Sequence, residues 1–277
     1  MKQTNKGFRI GAHIILSVVS LIVIVPFLLL VSSSFTQEQT LIAGGYSILP
    51  RELSFEAYRY LFAGAGNIFK AYGITFLVTA LGTAAGLLMT VLLAYALSIE
   101  KLPFRKALSF FVFFTMLFNG GLIPTYMMYT NVFHIKNTIA ALIVPSLMVN
   151  AFFVIIARSY FMSSIPAAVL EAARIDGMSE YRIYAKIMLP LSKPALSTLT
   201  IFTFVNTWND YLGPLIYLRT ETKKTIQLGL KMFIGQYSAE YGLIMAGSVV
   251  SLIPVIAVFL CLQKYFVEGV ASTGLKG

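Results

Sequence analysis

This sequence is dominated by apolar segments, each long enough to cross a bilayer as an α-helix. A helix needs about 20 residues to cross the hydrocarbon core, and the segments that meet this length are 14–34, 71–98, 107–130, 138–161, 195–217 and 242–265. Lipid offers the backbone no hydrogen-bond partner, so such segments cross as α-helices. Charged residues are only 12% of the chain, about half the fraction of a soluble domain. The sequence therefore predicts an all-α membrane protein with six transmembrane helices.

The chain is predicted to form a single transmembrane domain over residues 1–277. No internal repeat and no low-complexity linker divides it. Residues 14–34 are expected to be a retained N-terminal anchor helix, because this run is longer than a signal-peptide core and no clear cleavage site follows. The core helices are expected within 71–265, and 267–277 are expected to form a short tail.

Basic residues predict the orientation. If the N-terminus is cytoplasmic, most of the 21 Lys and Arg residues fall on the inner side, as the positive-inside rule requires. Both termini and the segment 163–190 are then cytoplasmic. The loops 35–70 and 218–241 are external, where they serve either as the landing surface for an external protein or as aromatic-belt anchors. Ser54 is a plausible cap for a short interfacial helix in the first of these loops.

The segment 163–190 is polar and helix-prone, and it is too long to be a simple connector. Pro166 suits the first turn of a helix, with Ser163 and Ser164 available as caps. Gly177 is tolerant of positive φ and is expected to end this helix. Ser179 then caps a second short helix, with Glu180 favourably placed in its first turn. The sequence predicts two short helices joined by a hinge.

The spacing of this segment resembles the "EAA" loop of ATP-binding-cassette importer permeases. The pattern is Glu-Ala-Ala, three residues, Gly, nine residues, then Ile-x-Leu-Pro, and every gap is matched. The resemblance implies that the segment is a coupling loop that docks on a separate ATPase through Glu171, Ala172, Ala173, Asp176, Gly177, Ile187, Leu189 and Pro190. Glu171 is expected to pair with a basic residue of the ATPase; its alternative partner is Arg174 in the same helix.

Two further segments, 118–126 and 206–215, resemble the carbohydrate-uptake branch of this family, the maltose-permease-like proteins. The resemblance implies an oligosaccharide importer in a bacterial cytoplasmic membrane, with a second homologous permease, two ATPase subunits that bind ATP and Mg, and an extracytoplasmic sugar-binding protein. Residues 267–277 resemble the permease tail that inserts between the ATPases; a frayed terminus is the alternative. The sequence does not identify the oligosaccharide.

Polar residues within the apolar segments are candidates for the substrate path. An ionised Asp at the bilayer centre is costly, so Asp210 should face protein or water, and amides beside aromatic rings suit sugar hydroxyls and apolar sugar faces. The candidates are Asn119, Tyr126, Asn150, Phe152, Asn206, Trp208, Asn209, Asp210 and Tyr211. Alternatively, these residues join helices to one another, or Asp210 lies at the external mouth beside the partner permease. Gly120, Gly121 and Pro124 are expected to break the third segment.

Several functions are excluded or disfavoured by absent motifs. The chain has no Gly-x-x-x-x-Gly-Lys-Ser/Thr loop for ATP, no His-Glu-x-x-His and no cysteine cluster, so we expect no enzyme, no cofactor and no metal in this subunit. The net charge of +10 is explained by membrane orientation and does not indicate nucleic-acid binding. A proton-coupled secondary transporter with Asp210 as proton carrier remains the alternative, although it leaves the loop around Glu171 unexplained.

Overall fold

A computed structural model of the chain describes residues 6–63, 66–231, 233 and 240–274. Within these residues the regular structure is helical, and one isolated antiparallel bridge joins Thr36 and Leu53. The described part falls into two compact units. The first contains the residues up to 69 together with 228–253, and the second contains 70–227 together with 254 onward. The helical structure agrees with the predicted all-α class, whereas a division into two units was not predicted.

In the first unit, the segment that follows the long first helix makes an aromatic contact and a hydrogen bond at a helix start. The helices of this unit are α1 (Lys6–Ser34), α2 (Glu38–Gly44) and α3 (Glu56–Ala63). Phe35 stacks on Tyr58 with ring centroids 4.8 Å apart, and Ser54 Oγ accepts a hydrogen bond from Glu56 N at 3.2 Å. Ser54 thus satisfies a backbone donor at the start of α3, as predicted, although it lies one residue before the N-cap position, which Phe55 occupies.

The second unit contains most of the shorter helices. The helix α4 (Gly66–Ser98) enters it from the first unit. The helices that follow are α5 (Arg105–Leu117), α6 (Leu122–Met127), α7 (Ala140–Leu147), α8 (Ala151–Ser164), α9 (Ala167–Ile175), α10 (Glu180–Ile183), α11 (Leu189–Leu191), α12 (Lys193–Trp208), α13 (Leu212–Tyr217), α14 (Ile226–Lys231) and α15 (Tyr241–Gly274). Two π-helical turns, Met128–Val132 and Tyr184–Met188, extend α6 and α10. The first unit includes α14 from Leu228 onward and α15 as far as Ile253.

Three helices are long and apolar enough to cross a membrane: Gly7–Ser34, Ile68–Ser98 and Tyr241–Tyr265. The third and fourth predicted segments are bent pairs, and the fifth lies in the second member of a bent pair, Glu180–Leu191 with Lys193–Tyr217. The α5 pair bends by 110°, the α7–α8 pair by 43°, and the helices on either side of Ser192 by 81°. The described chain therefore has three candidate spans, or up to six if each bent pair counts as one.

The break in the third predicted segment lies where the sequence places it. α5 ends at Leu117 and α6 begins at Leu122. Between them Gly121 has φ +84°, a left-handed value that favours glycine, and its N–H donates to Asn119 Oδ1 at 2.9 Å. The break in the fourth segment, between Leu147 and Ala151, was not predicted; there Asn150 caps α8.

Small residues allow α4 and α7 to approach closely. Gly82 and Gly86 form a Gly-x-x-x-Gly pair on α4, a spacing that places both on one helix face. A Cβ added at Gly86 would lie 2.7 Å from the carbonyl oxygen of Ser146, and one at Gly82 would lie 3.1 Å from Ser146 Oγ. The backbone of α7 therefore occupies the space that a side chain at Gly86 would need.

We predict that Gly86→Ala lowers the free energy of unfolding by about 1–3 kcal/mol, because the added methyl group must displace a backbone oxygen. The measurement is the thermal unfolding midpoint of the purified protein in detergent. The matched control is Gly73→Ala, in the same helix, where no atom lies within 4 Å of an added Cβ. Equal midpoints for the two variants would contradict the close approach.

Candidate functional site

The segment 163–190 folds as two short helices around a glycine turn. α9 ends at Ile175, and Gly177 follows with φ +76°, a conformation that L side chains rarely adopt. Ser179 Oγ then accepts a hydrogen bond from Arg182 N and caps α10. The predicted glycine stop and serine cap are confirmed. The caps predicted at Ser163 and Ser164 are wrong, because α8 extends through both residues and Pro166 occupies the N-cap position of α9.

One face of α9 is available to a partner, and the other is held by the protein. Ala173 is buried, whereas Glu171 and Ala172 are exposed and Ile175 is 85% exposed. Asp176 and Gly177 are also exposed.

The second half of the segment anchors the first half to the transmembrane helices. Ile183, Tyr184 and Met188 lie in one hydrophobic cluster with residues of α4 and α8, and Ile187 and Leu189 pack against it. Pro190 is exposed. Of the eight predicted coupling residues, Ala173, Ile187 and Leu189 therefore pack against the protein, and the other five, four of them around Gly177, are exposed.

A polar network spans the glycine turn. Glu180 accepts a hydrogen bond from Arg174 Nε at 2.8 Å with one carboxylate oxygen and from the Tyr95 hydroxyl at 2.6 Å with the other. The hydrogen bond with Glu180 raises the pKa of the Arg174 guanidinium, so this side chain stays charged. Arg174 lies in the last turn of α9, Glu180 in the first turn of α10, and Tyr95 near the end of α4. Arg174 thus pairs with Glu180 and not with Glu171, the partner considered from sequence.

A cleft of about 370 Å³ opens on another part of the second unit. Its lining includes Asp210, Thr125, Tyr129 and Tyr217, from α6, its π-helical extension and the segment around α13. Tyr126 stacks on Tyr217 with ring centroids 5.7 Å apart and accepts a hydrogen bond from Lys136 Nζ at 2.5 Å. Hydroxyl groups, a carboxylate and aromatic faces converge here, a combination that suits polyhydroxylated ligands.

Three of the predicted substrate-path residues stabilise helix ends. Asn119 accepts from Gly121 N before α6, Asn150 accepts from Phe152 N and Phe153 N at the start of α8, and Asp210 accepts from Gly213 N in α13. Each side chain accepts a hydrogen bond from a backbone N–H that has no partner within the helix. The bonds of Asn119 and Asn150 are local, which is a different role from the joining of helices considered as the alternative, and Asp210 also lines the cleft.

Trp208 does not offer a surface to a ligand in this structure. Its side chain is 0% exposed, stacks on Phe204 and meets the edge of Tyr72. The proposed sugar contact of its indole is therefore not supported, because core packing covers the ring. The remaining candidates lie apart from the cleft lining: Phe152, Asn206 and Asn209 are exposed and Tyr211 is half-buried, and Asn209 Oδ1 accepts from Gln227 Nε2.

Several site residues were missed from sequence. Thr125 and Tyr129 are spaced i, i+4 within an apolar run, which is a signal for one polar stripe on a helix. Tyr217 resembles an ordinary interfacial aromatic, and its place in the cleft depends on how α13 folds back. Tyr95 carried no signal, because a tyrosine near the end of a span is expected at a membrane interface.

The predicted tail lies partly within the last helix. α15 continues without interruption to Gly274, so residues 267–274 are helical. Residues 275–277 lie outside the described part of the chain.

These observations define a class of protein, a polytopic helical membrane protein with a structured loop that projects from its transmembrane helices. Residues 86–272 match the model of the family described as "Binding-protein-dependent transport system inner membrane component". The chain belongs to this family, and its apolar helices agree with a bacterial membrane location.

Known proteins resemble the chain over nearly its whole length. It is 34% identical to the polygalacturonan/rhamnogalacturonan transport system permease protein YtcP of Bacillus subtilis, over 99% of each chain. It is 30% identical to the arabinooligosaccharides transport system permease protein AraQ of the same organism, over 98% of this chain and 96% of the relative. A solved bacterial ABC transporter involved in the import of the acidic polysaccharide alginate is similar with a TM-score of 0.82 at 30% identity, over 96% of this chain and 99% of the other.

We predict that Arg174→Met accelerates amide hydrogen exchange at residues 174–182 by up to about fivefold, because an exposed ion pair contributes about 0.2–1 kcal/mol. The measurement is hydrogen exchange of the purified protein followed by mass spectrometry. Arg182→Met, in the same loop and without an ion pair in the described residues, is the control. Identical exchange in the two variants would show that the network does not hold the turn.

Proposed function

We propose that this chain is one of two permease subunits of an ATP-driven, binding-protein-dependent oligosaccharide importer. The observation that carries this proposal is the exposed surface of α9 and Gly177, held on the transmembrane helices by α10. A subunit without an ATP-binding motif needs such a surface to contact a partner protein that hydrolyses ATP. In this arrangement two ATPase subunits bind ATP and Mg, a second homologous permease completes the path, and an extracytoplasmic sugar-binding protein delivers the cargo.

The coupling loop transmits motion through packed contacts. When the ATPases close on ATP, they push on α9 through Glu171, Ala172 and Ile175. Movement then passes to α4 through the Tyr95–Glu180–Arg174 network and to α8 through the hydrophobic cluster around Ile183. Interfaces of this kind are closely packed, so they shift as units between discrete arrangements. Both termini and the loop are cytoplasmic in this proposal.

An oligosaccharide is the proposed cargo. The arabinooligosaccharide and polygalacturonan/rhamnogalacturonan permeases and the alginate importer support this class by their similarity. The cleft beside Asp210 supports it by its chemistry, because the hydroxyls of Thr125 and Tyr129 can exchange hydrogen bonds with sugar hydroxyls and tyrosine rings can pack on apolar sugar faces. Asn206, Asn209 and Tyr211 remain proposed contacts along the path.

Copurification tests the assembly. The full chain, tagged and extracted gently from its native membrane, should bring along an ATPase and a second permease. Uptake by the intact complex, measured with a panel of labelled glycans in the presence of the binding protein, should depend on ATP. Recovery of the chain alone from cells that transport the glycan would contradict the proposal.

We predict that Gly177→Trp and Glu171→Lys each abolish ATP-driven uptake while the protein still inserts. The first change forces a bulky residue into a left-handed turn, and the second reverses the charge on the docking face. Glu100→Lys is the control, because it makes the same charge change at an exposed position outside the loop. Uptake by proteoliposomes and ATPase copurification are the measurements. Normal ATP-dependent transport by Gly177→Trp would show that the loop does not dock the ATPase.

We predict that Asp210→Asn retains ATP dependence and reduces uptake no more than about tenfold, because the amide can still accept the hydrogen bond from Gly213. Uptake is measured with ATP and, separately, with an imposed proton gradient. Proton-driven uptake that disappears in Asp210→Asn would instead favour the secondary transporter in which this carboxylate carries the proton.

A further inference from the structure

Two arginines meet at the end of α4 without an acidic partner. Arg105 Nε donates to the carbonyl oxygen of Leu97 at 2.9 Å, and Arg158 Nε donates to the same oxygen at 3.1 Å. No ion pair with either side chain is present among the described residues. We propose that this arginine pair binds the phosphate of an anionic phospholipid headgroup at the membrane surface.

The charge at this position is not neutralised by the protein groups described. A helix C-terminus carries the equivalent of about half a negative charge, and Leu97 is in the last turn of α4. That partial charge offsets only a fraction of two guanidinium charges. An anion beside the pair would complete the neutralisation, and the low dielectric of the membrane makes this more favourable than it is in water.

The unused donors have the geometry that a phosphate requires. A guanidinium has five N–H groups. In each arginine the hydrogen bond to Leu97 O uses only the Nε–H group. Of the remaining groups, Arg105 Nη2 contacts Met162 Sδ at 3.5 Å, a weak acceptor. The terminal nitrogens of two adjacent guanidiniums are therefore left to bind phosphate oxygens, for which arginine forks are well suited.

The pair lies where a headgroup is located. Leu97 is next to the end of one candidate span, Ser98, and Arg105 begins the next one. Arg158 is six residues before the end of α8, about 9 Å along the helix, and its side chain extends to the same carbonyl oxygen. A basic pocket between helix ends at a membrane surface is typical of anionic lipid sites.

An apolar surface beside the arginines can receive the acyl chains. Phe104 is 83% exposed at the start of α5, and Leu108 and Phe111 are exposed further along the same helix. Leu108 lies one turn beyond Arg105 on the same helix face. A free phosphate ion would not use this surface. A zwitterionic lipid would place its own positive group near the two guanidiniums, so an anionic lipid is favoured.

The test uses the delipidated full chain and native mass spectrometry, with phosphatidylglycerol and phosphatidylcholine of identical acyl chains as the probes. We expect the wild type to prefer phosphatidylglycerol by more than about 25-fold, because two basic residues near an anionic lipid contribute roughly fivefold each by charge alone and the guanidinium forks add to this. The variant Arg105→Gln/Arg158→Gln is expected to lose this preference. Equal binding of the two lipids by the wild type would overturn the proposal.

A matched control separates the site from general attraction. Lys101→Gln/Lys106→Gln removes the same amount of charge from exposed positions in the same region, and its lipid preference is expected to stay within about threefold of wild type, less than one charge contributes at the site. An equal loss in the two double variants would show that the arginine pair is not a specific site.

A conservative variant keeps the test informative if the glutamine variant does not fold. Arg105→Lys/Arg158→Lys retains both charges but not the guanidinium forks, so we expect an intermediate preference with an unchanged unfolding midpoint in phosphatidylcholine. A wild-type preference in this variant would show that fork geometry is not needed and would overturn the site as described.

Two further measurements identify the molecule that supplies the anion. Inorganic phosphate in large excess should not displace phosphatidylglycerol from the wild type; displacement would indicate a soluble-anion site. The preference should also persist in the complex purified with its ATPase, and its loss there would show that the arginines bind a protein partner. These measurements need no transport activity, so their failure is distinct from failure of the proposed function. The proposal does not depend on which side of the membrane the site faces.

Discussion

The absence of hydrogen-bond partners in lipid governs this structure. A helix satisfies its own backbone, but each break within a membrane segment releases donors and acceptors that another group must satisfy. The chain has breaks before α6, α8 and α13, and side chains of Asn119, Asn150 and Asp210 bind a backbone N–H at each one. Asn119, Asn150 and Asp210 are therefore explained first by the backbone donors that they satisfy at these breaks.

The breaks also create the cleft. Because α6 and α13 are short and change direction, their polar and aromatic side chains line a common space beside α7 that straight helices would fill with packed apolar groups. Thr125, Tyr129 and Tyr217 reach this space together with Asp210. Capping and substrate binding are thus compatible uses of the same irregular backbone, as in other transport proteins with interrupted helices.

The two membrane-edge networks join helix ends by different means. The Tyr95–Glu180–Arg174 network is balanced in charge and holds the loop around Gly177 to α4. About half a turn further along α4, the carbonyl oxygen of Leu97 accepts hydrogen bonds from two arginines, and neither arginine forms an ion pair among the described residues. The first arrangement is complete within the protein, whereas the second has charge and donors that remain available. This difference is why the first is assigned to positioning and the second to ligand binding.

The sequence alone determined the class, the principal helices and the form of the loop. Apolar length decides which segments form long helices, and the local preferences of Gly177 and Ser179 decide where α9 stops and α10 starts. The spacing around Glu171 also indicated the family to which the chain belongs. These features depend on residues that are close in the sequence, so they can be predicted from the sequence alone.

Only the tertiary structure decided which polar side chains remain available. Trp208 is covered by Phe204 and Tyr72, and Arg174 selects Glu180 six residues away instead of Glu171 one turn away. Arg105 and Arg158 meet although 53 positions separate them in the sequence. Such outcomes depend on helix directions at the breaks, which are set by packing between distant residues, and local preference carries no information about that packing.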